Sequence, residues 1–117
     1  MDDQTEITDD NEPAAYDYIR RGHTFAAEGK YFEAIENYTL AIRADPEFAS
    51  AYYHRAICNS KTGRFRDVLE DCSKAIKHDS DYAEAYELRA KAYEKLGMKA
   101  ESEADLQKAK KLESSPS

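Results

Sequence analysis

The chain of 117 residues has no uninterrupted run of eighteen apolar residues, so no segment is expected to cross a bilayer as a helix. Its first residues lack both a basic and an apolar region, which leaves no secretory signal and makes the cytoplasm the expected compartment. There is no glycine-rich phosphate loop, no GxSxG turn, no HExxH helix and no quartet of metal ligands. The chain is therefore not expected to be an enzyme, and neither a metal nor a cofactor is expected. Cysteine is scarce, and the two present, Cys58 and Cys72, do not stand at a metal-ligand spacing.

Basic excess is also missing. The net charge is -7, but six acids (Asp2, Asp3, Glu6, Asp9, Asp10, Glu12) and no base precede Pro13, leaving 24 - 6 = 18 acids against 17 bases. Without a stripe of clustered Lys and Arg to neutralise phosphates, nucleic-acid binding has nothing to rest on. Residues 1–12 carry one aliphatic side chain, Ile7, too little apolar surface to offset the entropy of ordering them. They are expected to be a disordered acidic tail, either solubilising or able to bind a partner or block a groove. Residues 114–117 are expected to fray.

What the chain does contain is a repeat. A shift of thirty-four places superposes Tyr18, Tyr52 and Tyr86; Arg21, Arg55 and Arg89; Gly29, Gly63 and Gly97; and Ala41, Ala75 and Ala109. The first copy places Tyr18, Gly22 and Phe25 on one helix, Ala34, Tyr38 and Ala41 on the next, and Pro46 after it. A period of this length, with small, aromatic and glycine positions in this order, resembles the tetratricopeptide repeat, a helix-turn-helix unit that stacks into a solenoid. The resemblance implies an all-α fold, a right-handed α-solenoid of three units and six helices over residues 13–113, with repeats at about 15–48, 49–82 and 83–112. At 41% apolar content, with many alanines and tyrosines, one domain with a thin core is expected.

Each helix pair has readable punctuation. Pro13 suits a first helical position near the start of a helix to about residue 27, and the glycines permit the turns inside each repeat. Asp45 with Pro46 reads as an N-cap and first turn of a third helix near 47–61, and Asp79 or Ser80 as the cap of a fifth. Cys58 aligns with Thr24 and Ala92, and Cys72 with Tyr38 and Leu106, so both thiols are expected to be core filler. Arg21, Arg55 and Arg89 stand sixteen places before Asn37, Asp71 and Asp105, which suggests a polar contact within each helix pair. Outer-face residues Ile35 and Ile42, like Leu69 and Ile76, become Glu103 and Lys110 in the last copy, and Tyr31 and Phe65 become Lys99. A polar outer face terminates a solenoid, so a monomer is expected, ending without the additional solvating helix of the family.

The resemblance also implies a concave groove, lined by the first helix of every repeat, that holds a peptide segment of a protein partner. Its lining is expected to be Ile19, Arg20 and His23; then Ser50, Tyr53, His54, Ile57 and Lys61; then Glu84, Glu87, Leu88, Lys91 and Lys95. The phrases YYHRA (52–56) and DCSKAI (71–76) resemble co-chaperone repeats that grip acidic tails of heat-shock chaperones with a two-carboxylate clamp. Where that clamp requires Lys, Asn, Asn, Lys and Arg, this chain has Ile19, His23, His54, Glu84 and Leu88, and Glu84 would repel a carboxylate. The expectation is an adaptor or co-chaperone-like scaffold with a different ligand. Two alternatives stay open: a small structural or regulatory subunit that uses its convex face or last helix, and a metal site from His23, His54 and Glu84 or Glu87, for which the ligand set is incomplete.

Overall fold

The computed structural model describes residues 11–114. They form α1 (Asn11–Ala27), α2 (Tyr31–Ala44), α3 (Ala49–Lys61), α4 (Phe65–His78), α5 (Ala83–Lys95) and α6 (Lys99–Ser114). The expected acidic tail lies outside the described residues up to residue 10, and residues 11 and 12 already belong to α1. At the other end Ser114 is helical, and residues 115–117 lie outside the described residues.

Helices pack in pairs, α1 on α2, α3 on α4 and α5 on α6, and the pairs are joined by α2 against α3 and α4 against α5. Since α3 also touches α5 directly, the odd-numbered helices form one layer and the even-numbered helices the other. This is the six-helix solenoid that the repeat implies.

The turn inside each repeat is the same structure three times. Gly29, Gly63 and Gly97 have φ of +77°, +78° and +78°, a left-handed conformation that glycine adopts without steric cost. The next residue's N–H then reaches the carbonyl five positions back, Lys30 to Phe25 at 2.9 Å, Arg64 to Asn59 at 2.8 Å and Met98 to Tyr93 at 2.8 Å. Those bonds, with the glycine N–H bonded three positions back, form a Schellman motif that satisfies the last carbonyls of α1, α3 and α5.

The turns between repeats differ from expectation. Asp45 and Asp79 close the helix before them instead of capping the one after: their N–H groups bond to Ala41 and Ala75 carbonyls at 2.9 Å. Each carboxylate then accepts from the backbone two residues on, Glu47 at 3.2 Å and Asp81 at 3.1 Å. Aspartate's short side chain mimics a turn in this way, so the next helix starts later, at Ala49 and Ala83, with Phe48 and Tyr82 at the N-cap and no side-chain cap bond. Tyr52 straps the first of these turns by donating its phenol to the Pro46 carbonyl at 2.8 Å.

The core is thin and made largely of alanine. Ala34, Ala41, Ala51, Ala56, Ala75 and Ala85 have no exposed surface, which lets helix backbones approach closely. In the first repeat Gly22 goes further: a Cβ there would lie 2.5 Å from the Tyr38 ring. Tyr38 is 1% exposed, and burial of such a ring stabilises the fold by about 2 kcal/mol. Tyr52 is likewise core, whereas Tyr18 and Tyr86 are half-buried. Ile35 and Ile42, and then Leu69 and Ile76, pack against the following repeat, while Glu103, Lys110 and Lys99 are exposed.

Arginines tie each helix pair together and join it to the preceding repeat. Arg55 forms a bidentate pair with Asp71 (2.7 and 2.9 Å) and donates to the Thr39 hydroxyl of the preceding repeat at 3.0 Å. Arg89 does the same with Asp105 (2.7 and 2.9 Å) and Ser73 (3.0 Å). The first copy departs from the pattern: Asn37 donates its amide to the Glu33 carbonyl at 2.9 Å, and Arg21 lies 5.6 Å from the centre of the Tyr18 ring. An amide lacks the charge that draws a guanidinium into a bidentate pair.

Candidate functional site

Stacking of α1, α3 and α5 side by side brings together residues that are thirty or more positions apart. His23 on α1 and His54 on α3 meet edge to face, with ring centroids 4.5 Å apart. Beneath them lies Tyr38 of α2, stacked on His54 at 5.9 Å and hydrogen-bonded through its hydroxyl to Nδ1 of His23 at 2.7 Å. Burial raises the Tyr38 pKa, so the phenol stays protonated. When Tyr38 donates, a neutral His23 carries its proton on Nε2.

His54 is a neutral group at physiological pH. Desolvation, and secondarily the adjacent His23, lower its pKa to about 4 from an ordinary 6.5. Tyr53 continues the aromatic belt, 5.3 Å from His54 on one side and 5.1 Å from Tyr82 on the other. Its pKa is raised by burial first and then by the charge of Glu84 and Glu87, which sets those two acids near it. The result is a row of rings crossing from α1 to the start of α5, with carboxylates at the α5 end.

The other expected groove residues fall into two groups. Ile57, Leu88 and Ser50 are half-buried, and Leu88 packs on the Ala56, Val68, Cys72 and Ala92 cluster. Arg20, Lys61, Glu84, Lys91 and Lys95 are exposed, and Arg20 pairs with Asp17 one turn earlier on its own helix. Ile19 is a correction. At 7% exposure it belongs to the core with Ala34, Tyr38 and Ala51, so it supports the groove from beneath and offers a ligand almost no surface. Alignment by repeat assigns a face of a helix but not its depth, and α1 sinks further at this position.

Two features escaped the sequence. Tyr82 flanks Tyr53 because α5 starts later than the Asp79 signal implied. The carboxyls of Glu87 and of Glu113 on α6 lie close together, which raises the Glu87 pKa and sets the end of the last helix beside the rim of the groove. Nothing in the repeat pattern pairs those two positions.

Among the described residues, no group of three or more His, Cys, Asp and Glu side chains is placed to hold a metal ion. Cys58 and Cys72 are buried free thiols whose pKa values burial pushes up to about 11 and about 12, so both stay neutral, as core filler would. No helix among the described residues is long and apolar enough to cross a membrane.

A family model described as "TPR repeat" matches residues 22–63, and one described as "Tetratricopeptide repeat" matches residues 83–116. Among solved structures, the chain is similar to the second TPR of Spaghetti (RPAP3) bound to the HSP90 peptide SRMEEVD. Identity is 33%, coverage is 87% of this chain and 94% of that one, and the TM-score is 0.85. It is similar as well to the second TPR domain of human RPAP3 in complex with the HSP70 peptide SGPTIEEVD, at 33% identity, 91% and 88% coverage and a TM-score of 0.87. The TPR2B domain of yeast Sti1, in its pHsp70 complex, matches at 27% identity, 86% and 81% coverage and a TM-score of 0.85. No curated protein matches the chain significantly.

Proposed function

The chain belongs to the tetratricopeptide repeat family, and from that premise we propose that it is a non-enzymatic module holding a peptide segment of a protein partner in the groove of α1, α3 and α5. The observation that carries this reading is the row of rings from His23 through His54 and Tyr53 to Tyr82, which offers apolar faces and neutral hydrogen-bonding edges side by side. Solved relatives of the same fold carry peptides in their complexes, which supports a peptide as ligand. We place the module in the cytoplasm as an adaptor, where neutral buried thiols such as Cys58 and Cys72 are stable.

The ligand differs from an acidic tail gripped at both carboxylates. Ile19 is buried and uncharged, Glu84 is an exposed acid and Leu88 is apolar, so three of the five positions that would need Lys, Lys and Arg supply no cation. His54 remains, as a neutral group. Apolar contact then dominates, at about 25 cal/mol for each Å² buried, while each exposed charge pair adds only about 0–1 kcal/mol. Ordering a flexible peptide offsets much of that gain, so affinity is expected in the micromolar range.

Titration calorimetry tests the reading with an apolar peptide ending in a free or an amidated carboxyl, at pH 5.5 and 7.5. His54 is neutral in the free groove, and a ligand carboxylate beside it favours the protonated form. Binding of the free-acid peptide should strengthen as pH falls, and the amidated peptide should change little. Equal pH dependence for both would remove the histidines from recognition. In parallel, Tyr53→Ala with Ile57→Ala should abolish capture of the peptide; full retention would move the partner to another surface.

A further inference from the structure

The outer face of α6 is unlike the outer faces of α2 and α4, which are covered by the following repeat. Along it run Lys99, Glu103, Leu106, Lys110 and Glu113, at intervals of four, three, four and three, all exposed. Such spacing keeps side chains in one seam against a neighbouring helix. Leu106 occupies the register of the buried Tyr38 and Cys72, yet is 45% exposed. Beside it is a shallow depression of about 220 Å³ lined by Glu94, Lys99, Ser102 and Glu103.

Read from either end, this seam is complementary to itself. We propose that α6 docks a second copy of this chain as an antiparallel two-fold pair centred on Leu106. In that arrangement Lys99 faces Glu113 of the second copy, Glu103 faces Lys110 of the second copy, and each Leu106 enters the depression of the other. Both ion pairs occur twice by symmetry, as an isologous interface requires. A parallel pair would set Lys99, Glu103, Lys110 and Glu113 each against its own like charge, so the charges choose the direction as well as the partner.

The association is weak by construction. α6 has 16 residues, about 24 Å of helix, and one face of it buries less than the roughly 1,200 Å² typical of stable complexes. Its affinity should depend on salt, because the pairs are exposed and screened over about 10 Å at 0.1 M ionic strength. The proposal does not rest on the peptide groove, which lies on the layer of odd-numbered helices.

Sedimentation of the full chain from about 10 µM to about 1 mM, in low and in high salt, tests it. The expected result is a monomer that passes into a dimer as concentration rises, more readily in low salt. Glu103→Lys and Lys110→Glu should each weaken dimerisation about tenfold or more, because each turns two attractive pairs into repulsive ones. An equimolar mixture of the two variants should dimerise again, since every unlike pair is restored between them, and so should the double variant. Circular dichroism confirms that these exposed substitutions leave the helices intact. A chain that stays monomeric throughout, a dimer indifferent to both substitutions, or single variants that the mixture fails to rescue would overturn the proposal.

Discussion

The junction between the first and second repeats and the junction between the second and third are built on the same backbone but filled with opposite chemistry. Positions His23, Tyr38 and His54 of the first junction correspond, thirty-four residues on, to Ile57, Cys72 and Leu88 of the second. One is a hydrogen-bonded, titratable cluster and the other an apolar one. The packing is matched at the neighbouring position: Gly22 leaves room for the Tyr38 ring, whereas Ala56 packs with the smaller Cys72. Polar chemistry in this solenoid is thus a local replacement on a lattice that alanines and glycine turns define. Its imidazole and phenol groups gather where α1 meets α3.

The largest expected effect comes from turning the first junction into the second. Tyr38→Cys removes a buried ring and leaves a cavity against Gly22, which should lower the unfolding free energy by about 3–5 kcal/mol. Gly22→Ala alone forces a methyl against that ring and should cost about 1–3 kcal/mol. Together they recreate the Ala56 and Cys72 pairing, so the double variant should lose distinctly less than the sum of the two. Chemical denaturation of the four proteins measures the cycle, and additivity would show that Gly22 and Tyr38 are not matched to each other.

That pairing was half visible in the sequence. The thirty-four-residue register, the three turn glycines and the Arg–Asp spacing in the second and third copies all follow from identities that recur, and the helices stand where that register puts them. Depth was not visible, because Ile19, Tyr53 and Glu87 share a register position yet are core, half-buried belt and rim respectively. Asp45 misled because aspartate before a helix serves a cap or a turn equally well, and only the Ala41 carbonyl within reach of its N–H decides between them. The Glu87 and Glu113 contact was out of reach for a different reason: it joins a repeated position to a helix end that has no counterpart in the other copies.

The second effect is the pH dependence that His54 adds at the first junction. His54 has a folded pKa of about 4, below its ordinary 6.5, so between those values the unfolded chain takes up a proton that the folded chain does not. Its contribution is complete above about pH 6.5 and is lost as pH falls towards about 4. After allowance for its partial exposure, the loss should be about 1–2 kcal/mol. His54→Leu, which copies Leu88, should flatten this part of the stability profile, and thermal melts at pH 4.5 and 7 compare the two. An unchanged slope in the variant would assign the pH dependence elsewhere.

The smallest effect concerns what the two junctions share. Arg55 bonds Thr39 across the first and Arg89 bonds Ser73 across the second, both at 3.0 Å, so the guanidinium staples are geometrically alike. Their settings differ. Thr39 is half-buried and also donates to the Ile35 carbonyl at 2.8 Å, which leaves its oxygen fully committed between a carbonyl and a cation. Ser73 is exposed, and water can replace it as the acceptor for Arg89. Thr39→Val should therefore destabilise by about 1 kcal/mol, the usual net value of a partly buried hydrogen bond, and Ser73→Ala by less than about 0.5 kcal/mol. Equal losses would mean that the staple itself, not its solvent shielding, sets the strength of each junction. In that case the polar cluster at His23 and His54 would add recognition to the first junction without making it any more dependent on buried hydrogen bonds than the second.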